Sequence, residues 1–216
     1  MRTLLAALLF AGITLPASAG APTPPRDAQD VINRMIAANP ALDSFRTRVH
    51  VDVHMLNFPW LSPTLDGTSY FRRPDKYEVV FDRVPSYMKG FSKLFDDIGD
   101  AAVWGRDQNI EFLGTNGAYG RTLLVLRLTK KIHSDILDHT DAYIDPTTYE
   151  LVRMEWHYTS GGTIVMTQSY RTEAGFVLVA GQHAMIDIPH VHAVGDATYS
   201  TYQTNVAVDS AVFAQQ

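Results

Sequence analysis

AYIDPTTYELVRMEWHY, residues 142–158, holds one tight turn and no obvious catalytic group. Asp145-Pro146 supplies the turn. The chain then leaves it with apolar side chains on alternate positions: Val152, Met154, Trp156 and Tyr158. Arg153, Glu155 and His157 fall between them. Such alternation gives a strand one apolar face and one wet face. What the apolar face touches decides both fold and function. It is either a packed core or something the protein carries.

The same pattern recurs on both sides. Val49, Val51, Val53 and Met55 alternate with His50, Asp52 and His54 in a long half-buried strand over 45–55. Strands over 65–72 and 76–83 form a hairpin across Pro74-Asp75. Further strands are expected near 109–113 and 121–128, joined at Asn116-Gly117. After a looser segment, 129–139, long strands follow over 141–145, 150–159, 163–172, 176–188 and 190–204. Sequential hairpins of this kind make an antiparallel meander. Asp27 caps a helix running to about Ala38, with Val31, Ile32, Met35 and Ile36 on one face and Asn39-Pro40 as its stop. Phe91, Leu94, Phe95 and Ile98 recur at helical spacing within 85–105, which suggests a short helix serving as a lid or a packed connection. The expected fold is therefore mainly β (α+β). It is a curved antiparallel sheet forming an incompletely closed barrel, with an N-terminal helix and a short lid helix.

The start of the chain reads as an export signal. Leu4 to Leu15 is apolar but too short to span a bilayer, and Ala17-Ser18-Ala19 fits a signal-peptidase site. The expected organisation is a signal peptide over 1–19, a linker over 20–26, and one domain over 27–216 in the periplasm. Losing Arg2 takes the net charge from −5 to −6. That argues against nucleic acid and anionic membrane surfaces as partners. With no cysteine there is no disulfide, no thiol nucleophile and no lipidated cysteine.

A search for chemistry returns little. His50-x-Asp52-x-His54 puts its outer histidines about 13 Å apart on one strand, too far for one ion. His190-x-His192 is closer but needs a third ligand from elsewhere. His139-Thr140-Asp141 could assist a serine, yet no serine sits in a nucleophile motif. The three glycines in 114–120 lie between strands and read as a hairpin turn. No catalytic residue, cofactor or metal site is assigned, and no enzyme is expected.

Four separated stretches resemble the LolA/LolB-like family of periplasmic lipoprotein carriers. They are the helix followed by 42–49, the strand–turn–strand of 67–77 with its Arg-Pro, the Asp-Pro hairpin of 143–152, and the closing 202–213 with its Asp-x-x-x-Phe turn. They cover most of the mature chain in the family's order. The resemblance implies a half-barrel with helices as a lid. It implies acyl chains of lipoproteins or lipids as cargo, an inner-membrane donor complex and an outer-membrane acceptor as partners, no cofactor, and a monomer. Family carriers also have a cavity arginine that holds the lid, and no arginine of this sequence is assigned that role. In place of the family's strand after the second hairpin, this chain has 85–105, with Trp104 the one candidate aromatic for that strand.

Carrying is physically sensible without a catalyst. Each exposed methylene costs about 0.8 kcal/mol, so an acyl chain crossing water faces a barrier of about 10 kcal/mol. The candidate cavity positions are the apolar-phase residues Val51, Val53, Met55, Leu124, Leu126, Val152, Met154, Trp156, Ile164, Met166, Phe176 and Leu178, with Val49, Leu128 and Ile186 extending the same faces. Phe91, Leu94 and Phe95 are the candidate lid. Core packing is the competing reading for each. Three classes stay open: a carrier, a non-transporting lipid sensor or partner binder on the same fold, and a metal-dependent or hydrolytic enzyme using histidines.

Overall fold

The computed structural model describes residues 23–84, 101–117 and 119–214. Among the described residues, eleven strands form one antiparallel sheet. They are β1 (Ser44–Met55), β2 (Thr64–Arg72), β3 (Lys76–Phe81), β4 (Gln108–Asn116), β5 (Leu123–Lys130), β6 (Leu137–Ile144), β7 (Leu151–Tyr158), β8 (Thr163–Glu173), β9 (Phe176–Ile188), β10 (Val191–Tyr199) and β11 (Gln203–Thr204). The order is β3-β2-β1-β10-β9-β8-β7-β6-β5-β4, with β11 paired to β1. Among the described residues the two end strands do not pair, so the sheet is not closed into a barrel. The curvature follows from one contact. Tyr77 of β3 and Tyr170 of β8 line the same small cleft, although five strand steps of about 4.8 Å separate their strands in a flat sheet.

Helix α1 (Ala28–Ala37) forms where the sequence places it, with Asp27 capping the Asp30 amide at 2.9 Å. Its buried face, Val31 and Ile32, joins the main core. A second helix, α2 (Ala101–Asp107), precedes β4. Trp104 lies on this helix, not on a strand, and is 2% exposed. The expected lid residues Phe91, Leu94 and Phe95 lie outside the described residues. A closing 3-10 turn over Ser210–Ala214 starts at Asp209, whose carboxylate accepts from the Ala211 amide at 2.9 Å. Among the described residues no helix is long and apolar enough to cross a membrane.

The Asp-Pro turn of the opening stretch is built by Asp145 itself. Its carboxylate accepts from the Thr147 and Thr148 amides, and Tyr149 closes the turn in the left-handed region at φ 59°. At the next hairpin, Gly162 has φ +96°, and a Cβ there would sit 2.4 Å from the Asp187 carbonyl oxygen. Only glycine fits that position.

The strand boundaries depart from expectation where the pairing slips. β6 begins at Leu137 rather than at Asp141, because pairing shifts between Leu137 and His139 and leaves Asp138 as the extra residue of a bulge. The stretch expected as one strand over 190–204 divides into β10 and β11.

Candidate functional site

The inner face of the sheet packs into one core. Val51, Val53, Leu124, Leu126, Met154, Trp156, Ile164, Met166 and Leu178 are all buried in it, together with Val49, Leu128 and Ile186. Met55 and Phe176 are half-buried against its edge. Met154 is 1% exposed and Trp156 7%. Across the ladder Trp156 stands opposite Thr140 and Ile164, and Met154 opposite Ala142 and Met166.

Val152 does not join them. Tyr143 pairs with Arg153 and Ile144 with Leu151, so Val152 is the extra residue of a second bulge. The bulge turns its side chain to the other face, where it packs against Leu123, Val125 and Tyr143. Leu151 takes the inward position instead, at 4% exposure. One inserted residue reverses the phase of a strand, and alternation read along the sequence cannot register it.

Space opens beside α1. A cleft of about 170 Å³ runs beneath the end of that helix, bounded by Phe45, Phe71, Tyr77, Leu178, Tyr199 and Tyr202 among others. A second cleft of about 180 Å³ lies between α1, α2 and the β7–β9 region, walled by Trp104, Tyr149 and Leu151. Met35, Ile36, Asn39, Gln168, Tyr170, Val177 and Val179 line both. Of the sequence-expected cavity positions, Leu178 lines the first cleft, and Val152 lines a separate recess with Arg121, Glu150 and Arg171.

The first cleft is apolar with neutral polar spots. Tyr199 donates to Gln182 at 2.9 Å, and Gln182 donates to Gln168 at 2.9 Å. Tyr202 donates to the Val179 carbonyl at 2.9 Å, and Tyr170 to the Leu151 carbonyl at 3.0 Å. Burial pushes the Tyr199, Tyr202 and Tyr170 hydroxyls well above the usual phenol range, so they stay protonated donors. Among the described lining residues Arg73 is the one charged group, and it is occupied. Its guanidinium donates to the carbonyls of Asn39 and Leu42, just past the end of α1. Asn39 in turn brackets Val177, donating to its carbonyl at 2.7 Å and accepting from its amide at 2.9 Å. Arg34 ties the middle of the helix to the Asp-Pro hairpin through the Tyr149 hydroxyl at 2.7 Å.

Sequence reasoning missed Arg73, Gln168, Gln182 and the tyrosines. One signal was present: Gln168 interrupts the apolar phase of Ile164 and Met166 on β8. A polar residue in an apolar phase marks a place where the core gives way to a polar-lined space.

His50 on β1 is paired with carboxylates. The two ring nitrogens of His50 lie 2.9 Å from Asp66 and 3.4 Å from Asp52. The hydrogen bond to Asp66 raises the pKa of the His50 ring above its ordinary value of 6.5. A raised native value means the pairing stabilises the fold fully below the unfolded pKa, and that contribution is lost as pH rises through the native one. NMR titration should therefore find His50 titrating above 6.5 and returning toward it in Asp66→Asn. An unshifted His50 in the unmodified protein would refute the pairing. His192 pairs with Asp187 at 2.7 Å. His190 occupies the turn after β9 at φ 69°.

No protein family model matches the chain, and no curated protein matches its sequence. Solved structures do match in shape. A DUF1329 family protein from Desulfovibrio piger superposes with a TM-score of 0.65 at 11% identity, covering 85% of this chain and 94% of that one. A putative outer membrane lipoprotein-sorting protein domain from Vibrio parahaemolyticus gives 0.64 at 9% identity, covering 85% and 94%. A LolA superfamily protein from Nitrosomonas europaea gives 0.58 at 10% identity, covering 87% and 97%. The unclosed antiparallel sheet around one core, with helices against its inner face, is a LolA-like fold.

Proposed function

We propose that this protein is an exported periplasmic carrier that holds the acyl chains of lipoproteins or lipids on the inner face of its sheet and moves them toward the outer membrane. The observation that carries this reading is the pair of clefts flanking α1, the first of them mainly apolar. Each alone is smaller than a typical ligand pocket of about 300–1,000 Å³. They share the walls made by Met35 and Ile36, so lifting the end of α1 would join them. A cleft whose hydroxyls, amides and single guanidinium are already paired suits an uncharged hydrocarbon. Val51, Val53, Leu124, Leu126, Met154, Trp156, Ile164 and Met166 then form the apolar floor that the chain reaches as α1 moves. Methionines suit variable acyl chains because they repack easily. The fold neighbours support the class, one of them being described as lipoprotein-sorting. Nothing in this task needs a catalyst. An inner-membrane donor and an outer-membrane acceptor are the partners the reading requires.

The test is native mass spectrometry, with lipid extraction, of protein purified from periplasm without detergent. A co-purifying acylated species is the expected result. A clean apo mass with no uptake of added lipopeptide would overturn the carrier.

A second reading has its own observation. The loop between β1 and β2 is uncharged from Leu56 to Leu65 and displays Leu56, Phe58 and Trp60, the last 82% exposed. Exposed apolar groups gathered at one tip mark interaction sites. A non-transporting lipid sensor or partner-binding protein would use that tip and keep its core closed. The same mass spectrum separates the carrier from the partner binder, which shows a clean apo mass.

A further inference from the structure

The outer face of the sheet carries a different chemistry from the clefts. The register of β6 and β7 sets His139 directly opposite His157. Their rings stack, with centroids 4.4 Å apart and planes 16° from parallel. Asp141 lies two residues along β6 on the same face and is 7% exposed. His139 Nε2 is 3.7 Å from Asp141 Oδ2. One ligand atom from each of the three residues lies within 4.8 Å of the other two. We infer that His139, Asp141 and His157 form a binding site for a divalent transition-metal ion of the zinc class.

The donor set fits such an ion. Two imidazole nitrogens and one carboxylate oxygen are ligands that zinc and its neighbours accept, leaving further positions open. The bulge on β6 prepares the first ligand. It brings the Asp138 carboxylate to 2.7 Å from His139 Nδ1, so that nitrogen keeps the proton and Nε2 presents its lone pair toward Asp141. Arg127 donates to both oxygens of Asp141 at 2.8 Å, which holds the carboxylate in place. On binding, one oxygen turns to the ion and Arg127 keeps the other. Glu155 stands beside the site, with Oε2 3.6 Å from His157 Nε2. Its other partners are Arg153, Tyr119 at 2.7 Å and Tyr143 at 3.5 Å. Asp138, Asp141 and Glu155 outnumber Arg127 and Arg153, so the patch favours a cation. All three ligands stand on strands, which position side chains better than loops do. Zinc–nitrogen bonds of about 2.0–2.1 Å require the ligand atoms to close in and the stacked rings to splay, because parallel rings cannot aim both lone pairs at one point.

The experiment uses the full chain without an affinity tag, stripped with chelator and titrated with Zn²⁺ by calorimetry at pH 7.5. One ion per chain is expected. His139→Ala and His157→Ala should each weaken binding about tenfold or more, and Asp138→Asn about tenfold by releasing the ring it orients. His192→Ala, which breaks a histidine–aspartate pair elsewhere, should change nothing. Ring-nitrogen NMR of the unmodified chain gives a readout that no variant's misfolding can blur: of eight histidines, two should shift with Zn²⁺. Absence of saturable binding overturns the site. So does binding that survives the double variant, binding lost in His192→Ala, or NMR shifts at other histidines.

Discussion

Trp156→Ala is expected to destabilise the protein by about 3–5 kcal/mol, the usual cost of emptying a buried tryptophan site. The ring is 7% exposed, and its cross-strand neighbours Thr140 and Ile164 are 1% and 5% exposed. Ordered strands on both sides leave the hole little room to collapse. Domains of this size hold only about 5–15 kcal/mol of net stability. At about 2–4 °C per kcal/mol, the melting temperature should drop by about 10 °C. Thermal unfolding with and without an added lipopeptide measures both the cost and the function. If the inner face accepts acyl chains, the hole becomes extra binding space, and lipopeptide should restore more stability to the variant than to the unmodified protein. A loss below about 1 kcal/mol would mean the ring is not packed as described. Equal shifts in both proteins would mean that acyl chains do not reach the Trp156 region.

The readability of this fold varied with the range of the interaction. The alternation of Val49, Val51 and Val53 was visible because it belongs to one strand with one wet face. So was the Asp-Pro turn, since Asp145 makes its hydrogen bonds within a few residues of itself. Val152 was misplaced by a single bulged residue, whose effect exists only in the pairing of β7 with β6. Trp104 was the one candidate aromatic for a strand, yet it anchors a short helix whose apolar neighbours come from α1 and the sheet. The first cleft was invisible for the same reason. It is assembled from β1, β2, β3, β8, β9, β10 and α1, and no local pattern encodes their meeting. The pairing of His139 with His157 needed the Asp138 bulge, which a periodic reading passes over.

Arg73→Met is expected to loosen the end of α1. The Arg73 guanidinium reaches from the β2–β3 turn to two backbone carbonyls, Asn39 and Leu42, which close the segment after the helix. Hydrogen bonds from a charged group contribute about 1.5–3 kcal/mol each when buried. Arg73 is only half-buried, and screening reduces that contribution, so a total loss of about 2–3 kcal/mol is expected. The loss should be local, because Asn39 keeps its two hydrogen bonds to Val177 and the β5–β8 core is untouched. Amide exchange in α1 should accelerate by a factor of ten or more, while amides of β5 to β8 hold their rates. Lysine should not rescue the variant, since one ammonium cannot reproduce a planar fork reaching two carbonyls. If α1 gates the clefts, the same variant should take up lipopeptide faster, because the opening step has become easier. Faster exchange with unchanged uptake would keep Arg73 as a structural clasp and remove α1 from the path of the cargo. Unchanged exchange would show that the helix end is held by Asn39 and Arg34 alone. Faster exchange together with faster uptake would make the end of α1 the moving part of this protein, because the clefts on both sides share the walls that its last turn provides.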